Sequence, residues 1–301
     1  MSPAPAAAPA VPARKITTRR IEFEYPTSQT PRHFMNGDPA MSHVVAMLSS
    51  VFPEGEDMFV RSVRNYRDRI TEPELKKQVG GFIGQEAIHG REHRSFNEHL
   101  QAMGYPTLFI DRCVHYGFFH GSRLLPKSWQ LAITAALEHY TATLAETLLG
   151  NAEARAEFGP EDLSAASAQT LLLWHAVEES EHKAVAFDVY QTVCGSHRIR
   201  VITMNLVTLG FLLGTVAGSA VALLLDGHTY RHPIHTARSV ARLRRSPWLR
   251  RDVARRIRDY NRRDFHPEDH DAAALLDEWR GRLFGASGTL NDRIRTTAGA
   301  A

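Results

Sequence analysis

Residues 82–100 read FIGQEAIHGREHRSFNEHL and residues 174–190 read WHAVEESEHKAVAFDVY, and in each stretch a histidine follows a glutamate by three positions. The two pairs are Glu86 with His89 and Glu179 with His182. Side chains three residues apart project from one face of an α-helix, so a carboxylate and an imidazole with this spacing can reach the same ion. The sequence therefore predicts two helices that share a metal site.

Apolar residues recur with helical spacing on both sides of each pair. The first stripe consists of Leu75, Val79, Phe82, Glu86, His89, His93, Phe96 and Leu100. The second stripe consists of Leu172, His175, Glu179, His182, Ala186 and Val189. Ionisable groups in the middle of a core-facing stripe cost free energy unless something pairs with them. Both stripes thus indicate that these glutamates and histidines are buried for a chemical purpose.

The same period predicts four helices, over residues 53–70, 71–104, 128–149 and 163–193. Thr71 and Glu74 have the spacing of a capping box at the start of the second helix, and Gly104 is a usual residue at a helix end. The first and third helices each carry one glutamate on the apolar face, Glu56 and Glu138. Residues 18–25 alternate like a short extended segment. The predicted fold class is all-α.

Together the four predicted helices supply four carboxylates and two imidazoles. They come from Glu56, Glu86, His89, Glu138, Glu179 and His182. This is the ligand set of four-helix di-iron and di-manganese proteins, so we predict a ferritin-like four-helix bundle that holds two metal ions. A ligand set of hard carboxylates with few imidazoles favours iron, with manganese or zinc as alternatives. A closed structural zinc site would instead contain thiolates or more histidines.

Some neighbouring residues leave alternatives open. Glu178 competes with Glu179 because it lies four residues before His182, and the parallel with the first helix decides for Glu179. His93 and His175 lie one turn from the predicted ligands, and we predict catalytic roles for them. An extra ligand, an outer hydrogen-bond partner or an ordinary buried imidazole are the alternatives. The segment DFHPEDHD (264–271) resembles a metal motif, but its proline places it on a loop that lacks a rigid scaffold.

Residues 201–225, VITMNLVTLGFLLGTVAGSAVALLL, contain no charged residue over 25 positions. At about 1.5 Å per residue, such a helix exceeds the roughly 30 Å hydrocarbon core of a bilayer. We therefore predict a membrane-associated helix over residues 199–227, although the central helix of a water-soluble bundle would have a similar composition. Arginines on both sides slightly favour a cytosolic C-terminal side, and an in-plane or re-entrant helix would keep the metal domain cytosolic as well. Gly210, Gly214 and Gly218 lie four apart and predict a smooth face for a homodimer.

The remaining segments define the predicted domain limits. Residues 1–14 are almost all alanine, proline and serine and predict a disordered tail, whereas 15–198 form the metal domain and 228–301 a basic helical region. The formal net charge is only +3, but residues 231–263 are strongly basic, which suits anionic lipid headgroups. Without interleaved aromatic residues, this block does not predict nucleic-acid binding. No secretory signal is apparent, and Cys113 and Cys194 are expected to be free, buried thiols.

The stretches PEGEDMFVRSVRNY (53–66), 82–100, 174–190 and 264–271 together resemble a bacterial family of predicted metal-dependent hydrolases. The resemblance covers about residues 18–280. It implies a ferritin-like helical core, and it places metal ligands on the same six residues that the helical stripes select. The family name implies hydrolysis, although a fold by itself does not decide a reaction.

Three classes of function follow from these features. The carboxylate-rich ligand set beside an apolar helix favours an oxygen-dependent di-iron oxidation, a hydroxylation or desaturation, of a lipid or another apolar small molecule. The alternative is a metal-dependent hydrolase that acts on an ester or amide through a metal-bound hydroxide. Metal storage is disfavoured because storage proteins of this fold form soluble shells. The expected location is the cytoplasmic side of the bacterial inner membrane.

Overall fold

The computed structural model describes residues 13–25 and 30–295, and within these ranges the chain is helical with no β-strand. The prediction of an all-α fold is confirmed. The helices are α1 (Pro39–Arg64), α2 (Pro73–Ala102), α3 (Thr107–Val114), α4 (His120–Ser122), α5 (Lys127–Gly150), α6 (Ala152–Ala156), α7 (Ala168–His182), α8 (Val185–Val193), α9 (His197–Leu225), α10 (Gly227–Arg231), α11 (Pro233–Leu243), α12 (Arg251–Asp259) and α13 (Ala273–Phe284). A π-helical segment, His115–Phe119, joins α3 to α4.

Helix α1 begins fourteen residues earlier than the predicted start, so that boundary was wrong. Asp38 caps its first turn by accepting a hydrogen bond from the Met41 backbone N–H, and Pro39 occupies the first helical position, where a missing N–H costs nothing. Pro53, which was expected to start the helix, lies inside it. The helix tolerates this proline because the Asn97 side chain donates to the Ser49 carbonyl, which the proline leaves without its helical donor.

Two further boundaries differ from the prediction. Helix α2 begins at Pro73 and is capped by the carboxylate of Glu72, not by Thr71. The fourth predicted helix is divided into α7 and α8 by a turn at Lys183 and Ala184. The turn coincides with the burial of Lys183, whose Nζ donates to Glu146 Oε1 over 2.9 Å and to the His270 carbonyl. No helix-breaking residue marks this position, so local sequence could not show it.

The four longest core helices pack against one another, with α1 on α2, α5 on α7, α1 on α5 and α2 on α7. Two apolar clusters fill their interior. The first includes Phe82 of α2 and Leu131 of α5, and the second includes Phe96 of α2 and Leu149 of α5. The glutamates and histidines of these helices lie between the two clusters. The ionisable site is therefore enclosed by apolar packing along the bundle axis.

Helix α9 lies against α1 and α5 with one face only. Its buried residues are Arg200, Thr203, Met204, Val207, Ser219 and Ala222. The opposite face exposes large apolar side chains, among them Leu206, Leu209 and Leu213. In the described part of the chain, α9 is the one helix long and apolar enough to cross a membrane.

The three glycines that lie four residues apart on α9, Gly210, Gly214 and Gly218, have different surroundings. A Cβ on Gly218 would come within 2.9 Å of Met47 Cγ, so this glycine permits close packing on α1. A Cβ added to Gly210 or Gly214 would meet no other side chain or helix within 4 Å among the described residues. A homodimer through this face stays a prediction.

The N-terminal and C-terminal segments also contact the bundle. Residues 18–25 have no helix, as expected, and the Phe23 N–H donates to Glu92 Oε2 over 2.8 Å. Arg14 pairs with Asp188, whereas residues 1–12 of the predicted tail lie outside the described residues. Both cysteines are free, but Cys113 is exposed and Cys194 half-buried, so the expectation of buried thiols was wrong.

Candidate metal centre

The fold brings the six predicted ligands together from α1, α2, α5 and α7, and none is more than 3% exposed. Two sets of three donor atoms, each within 4.8 Å of one another, share Glu86. One set contains Glu86, Glu138 and His182, and the other contains Glu56, Glu86 and His89. Glu179 Oε1 lies between them, 3.5 Å from His182 Nε2 and 3.6 Å from His89 Nδ1. The two sets are therefore adjacent, and each could hold a metal ion.

A hydrogen bond from outside the cluster orients His182. Its Nδ1 lies 2.8 Å from Gln85 Oε1, and the Gln85 amide nitrogen donates to the Thr17 carbonyl and to Glu181. Gln85 Oε1 is therefore an acceptor, and Nδ1 of His182 carries a proton. Its Nε2 faces Glu86 Oε1 at 3.0 Å and Glu138 Oε2 at 3.4 Å. Burial opposes the charge of His182, but Glu179 and Glu86 outweigh it and raise the pKa of His182 well above its ordinary value, so Nε2 keeps a proton until a cation displaces it. This is the arrangement in which a buried acceptor prepares a histidine to ligate a metal.

His89 is oriented in the same manner by Glu178. The Nε2–H donates to Glu178 Oε2 over 3.0 Å, while Nδ1 faces the cluster without a hydrogen-bond partner in the described residues. The other oxygen of Glu178 accepts a hydrogen bond from Arg19 over 2.9 Å. Glu178 thus lies behind His89, and the geometry favours Glu179 over Glu178 as the residue that faces the cluster.

The donor atoms themselves provide the test of whether metal ions fit. Nine nitrogen and oxygen atoms of the six residues are buried and have no hydrogen-bond partner in the described chain. Buried carboxylates without partners are strongly unfavourable, and divalent cations would satisfy them with the oxygen and nitrogen ligands that such ions prefer. The residues present therefore fit a metal centre.

Crowding of the carboxylates changes their protonation. Burial, reinforced by Glu86 and Glu179, raises the pKa of Glu56 well above its ordinary value. Burial and the same two neighbours also raise the pKa of Glu138. Burial acts on Glu179 too, but the charge of His182 outweighs it and lowers the pKa of Glu179. Without cations, the cluster accordingly retains protons on Glu56 and Glu138.

His93 and His175 extend the cluster toward α1. His93 Nε2 lies 2.7 Å from His175 Nδ1, and His175 Nε2 lies 2.9 Å from Glu179 Oε1 and 4.0 Å from Glu56 Oε1. Burial and the neighbouring His175 lower the pKa of His93 well below its ordinary value, which keeps the His93 ring neutral. Neither histidine is an isolated core residue.

Aromatic rings surround the histidines and exclude water. Phe82 packs against His182 with ring centroids 5.0 Å apart, and Trp174 packs against His89 at 4.9 Å. Phe52 contacts both His93, at 4.6 Å, and His175, at 5.0 Å. In such an apolar environment, charge–charge interactions are stronger than in water.

The sequence pattern of a protein family described as predicted metal-dependent hydrolase matches residues 17–271. The chain belongs to this family. Neither curated proteins nor solved structures gave a match. The description of this metal-dependent hydrolase family agrees with the buried groups of glutamate and histidine, and it supports the hydrolytic alternative better than oxidation.

Several residues that shape the centre of this family member were not singled out from sequence. Gln85 and Arg19 orient His182 and His89 from outside the cluster. Gln85 directly precedes Glu86, which was a usable signal, whereas Arg19 precedes α7 by many residues and gave none. Gly90 allows α2 to approach Glu56, since a Cβ there would lie 3.0 Å from Glu56 Oε2.

In this hydrolase family member, the two histidines of the DFHPEDHD segment contact acids of the fold and do not form a metal site within the described chain. His266 Nε2 contacts Asp188 Oδ1 at 2.8 Å, and His270 Nε2 contacts Asp259 Oδ2 at 3.1 Å. The two histidines therefore pair with acids on different helices. In the described residues, this segment supplies no group of three donors close enough to hold an ion.

Proposed function

We propose that the protein is a hydrolase whose centre holds two divalent metal ions between α1, α2, α5 and α7. The observation that carries this proposal is the convergence of nine buried donor atoms without partners, together with membership in a family described as metal-dependent hydrolases. The proposed ligands are Glu56, Glu86, His89, Glu138, Glu179 and His182. The arrangement of the four helices is proposed to be the ferritin-like bundle, because that fold projects a Glu-x-x-His pair from each of two helices and a Glu from each of the others.

When bound, the ions would polarise a carbonyl oxygen and lower the pKa of a water molecule, which is the chemistry that ester or amide hydrolysis requires. The chain's own residues prepare the centre for this. Gln85 holds a proton on His182 Nδ1, and Glu178 holds a proton on His89 Nε2, so that the other nitrogen of each ring faces the cluster. Phe82, Trp174 and Phe52 keep bulk water away from the cluster.

The metals are proposed to be iron, with manganese or zinc as alternatives. Carboxylate oxygens outnumber imidazole nitrogens in the proposed set, which suits these ions better than a closed thiolate site does. The six residues contain no cysteine, and both cysteines of the chain lie outside the cluster.

We further propose that α9 lies in the plane of a membrane surface, on its cytoplasmic side. Buried residues of α9 extend from Arg200 to Ala222, and the helix packs against α1 and α5, so lipid cannot surround it. Its outer face exposes Leu206, Leu209 and Leu213 by more than half. A helix with one apolar face and one packed face suits insertion to the depth of the headgroups. The substrate would then be a lipid or another apolar molecule with an ester or amide bond.

Hydrolysis can be tested directly on protein loaded separately with Fe²⁺, Mn²⁺ or Zn²⁺. Esters and amides of increasing acyl length, presented in vesicles, should be cleaved with a dependence on added metal and at equal rates in air and without dioxygen. Glu86→Gln should abolish cleavage, whereas Glu92→Gln, an equally buried change on α2, should retain it. Turnover that consumes dioxygen and a reductant would instead establish the oxidative function.

A further inference from the structure

Pro53 lies inside α1 and therefore lacks the N–H that would bond to the Ser49 carbonyl four residues earlier. The side chain of Asn97 on α2 takes this place, with its Nδ2 donating to the Ser49 carbonyl over 2.9 Å. Because a carbonyl only accepts, the orientation of the Asn97 amide is fixed. Its Oδ1 must point away as an acceptor.

The fixed amide determines a chain of hydrogen bonds that ends in the metal centre. Ser49 Oγ has one proton and donates it to Asn97 Oδ1 over 2.7 Å. Ser49 Oγ therefore accepts from His93 Nδ1, at 2.9 Å. A neutral imidazole has one donor and one acceptor, so His93 Nε2 accepts from His175 Nδ1 at 2.7 Å. When His175 is neutral, its Nε2 therefore has no proton.

The Nε2 atom of His175 points at the proposed ligands. It lies 2.9 Å from Glu179 Oε1, a distance at which a proton or a metal ion must offset the repulsion between the two acceptors. His175 also forms one group of donors within 4.8 Å of one another with His89 and Glu179, and another with Glu56 and His93. The first of these groups places His175 beside the position that Glu56, Glu86 and His89 define.

We propose that His175 Nε2 is a third imidazole ligand, and that His93, Ser49 and Asn97 are positioning residues that hold it in this tautomer. The inference rests on the proposed metal centre. It changes the role expected for His175 from catalysis to metal binding, and that of His93 from catalysis to positioning His175. Pro53 contributes to this arrangement, because it leaves the Ser49 carbonyl free to accept from the Asn97 amide and so to fix the orientation of that amide.

The proposal makes the two metal positions unequal. His89 and His175 supply two imidazoles to one position, while His182 supplies one to the other, beside Glu86 and Glu138. Nitrogen-rich sites gain more affinity along the series from Mn²⁺ to Zn²⁺ than carboxylate-rich sites do. Titration with Co²⁺ is thus expected to show two binding steps, the tighter one at the position with two imidazoles.

The test is metal binding to His175→Ala, measured as ions per chain and as the visible absorption of bound Co²⁺. The tighter step should weaken by about tenfold or more, and free imidazole should restore both the affinity and the spectrum. His43→Ala serves as a matched control, since His43 is 1% exposed and its Nδ1 contacts the Pro39 carbonyl at 2.8 Å. Unchanged cobalt binding and an unchanged spectrum in His175→Ala would overturn the assignment.

The positioning chain has its own variants, which also serve if His175→Ala does not fold. Ser49→Ala removes the acceptor for His93 Nδ1 and should weaken the same Co²⁺ step by about tenfold, whereas Ser49→Thr keeps the hydroxyl and should restore it. Equal binding by Ser49→Ala and the unchanged protein would refute the positioning role. If cobalt binding responds as expected while no ester or amide is cleaved, the hydrolase proposal fails and the ligand assignment stands.

Discussion

His182 of α7 donates its Nδ1 proton to Gln85 Oε1 of α2 over 2.8 Å, directly beside the predicted ligand Glu86. The Gln85 amide nitrogen is held in turn by the Thr17 carbonyl and by Glu181. The N-terminal segment thus takes part in orienting a proposed ligand, although it contributes no donor atom to the cluster. Outer hydrogen bonds of this kind raise the affinity of a histidine for metal.

Gln85→Leu should lower metal affinity by about 10- to 100-fold, because His182 loses the acceptor that fixes its tautomer. The measurement is competition for the bound metal by a chelator. Gln169→Leu is the control. Gln169, on α7, is a buried glutamine like Gln85, but its Oε1 accepts a hydrogen bond from the Asp162 N–H and not from a histidine. This variant should lose stability only. Equal affinity in the two variants would contradict an orienting role for Gln85.

Glu138 and Glu146 lie on α5 and are nearly equally buried, yet their environments predict opposite outcomes for Glu→Gln. Glu138 has no hydrogen-bond partner in the described residues, whereas Glu146 pairs with Lys183 and Arg256. Glu138→Gln should remove metal while leaving the metal-free protein as stable or more stable. Glu146→Gln should keep metal and destabilise the fold by about 3 kcal/mol, because the buried Lys183 and the half-buried Arg256 lose their charged partner.

Metal analysis and thermal unfolding of both variants decide the comparison. Retention of the full metal content in Glu138→Gln would exclude Glu138 as a ligand. A stability loss in metal-free Glu138→Gln as large as that in Glu146→Gln would show that Glu138 has a structural partner.

The raised pKa of Glu56 and Glu138 predicts opposite pH dependences for the metal-free and metal-loaded protein. An acid whose pKa is raised by folding binds protons more tightly when folded, so its contribution to stability falls as the pH rises above the ordinary value of 4.5. Metal ions replace these protons, so metal affinity should increase with pH and binding should release protons.

The measurement is thermal unfolding from pH 5 to pH 8 with and without metal, together with proton release on metal addition in weak buffer. The difference in unfolding temperature between the two forms should widen as the pH rises. If the difference in unfolding temperature narrowed as the pH rises, or if metal bound without proton release, the metal-free carboxylates would not be protonated as proposed.

The exposed face of α9 predicts vesicle binding that depends on single leucines. Leu209 and Leu213 are 56% and 61% exposed, so Leu209→Asp and Leu213→Asp should leave the fold intact. Each should reduce partitioning into anionic vesicles by about tenfold or more, because apolar burial in the bilayer is lost. Asn205→Asp adds the same charge to α9 without removing an apolar group and should bind nearly as well. Co-sedimentation that is unchanged by the leucine variants would rule out this face as the lipid contact.

The convergence of these side chains could be predicted because the proposed ligands repeat with the period of a helix. Glu86 with His89 and Glu179 with His182 interrupt apolar stripes, and a buried charge in such a stripe requires a partner. The lone acids Glu56 and Glu138 followed from the same period on α1 and α5. The start of α1 was missed because Pro53 suggested a helix start, whereas a side chain from α2 compensates for it in the interior.

By itself, the sequence determined the all-helical class, the four helices of the centre and the apolar character of α9, since each depends on spacing along one chain. Only the tertiary structure decided how the histidines face. The partners of His182, His89 and His93 are Gln85, Glu178 and Ser49, and in each case the partner lies on a different helix from the histidine. The tautomer of an imidazole depends on which acceptor lies within about 3 Å, and that distance is set by the packing of helices that the sequence places far apart.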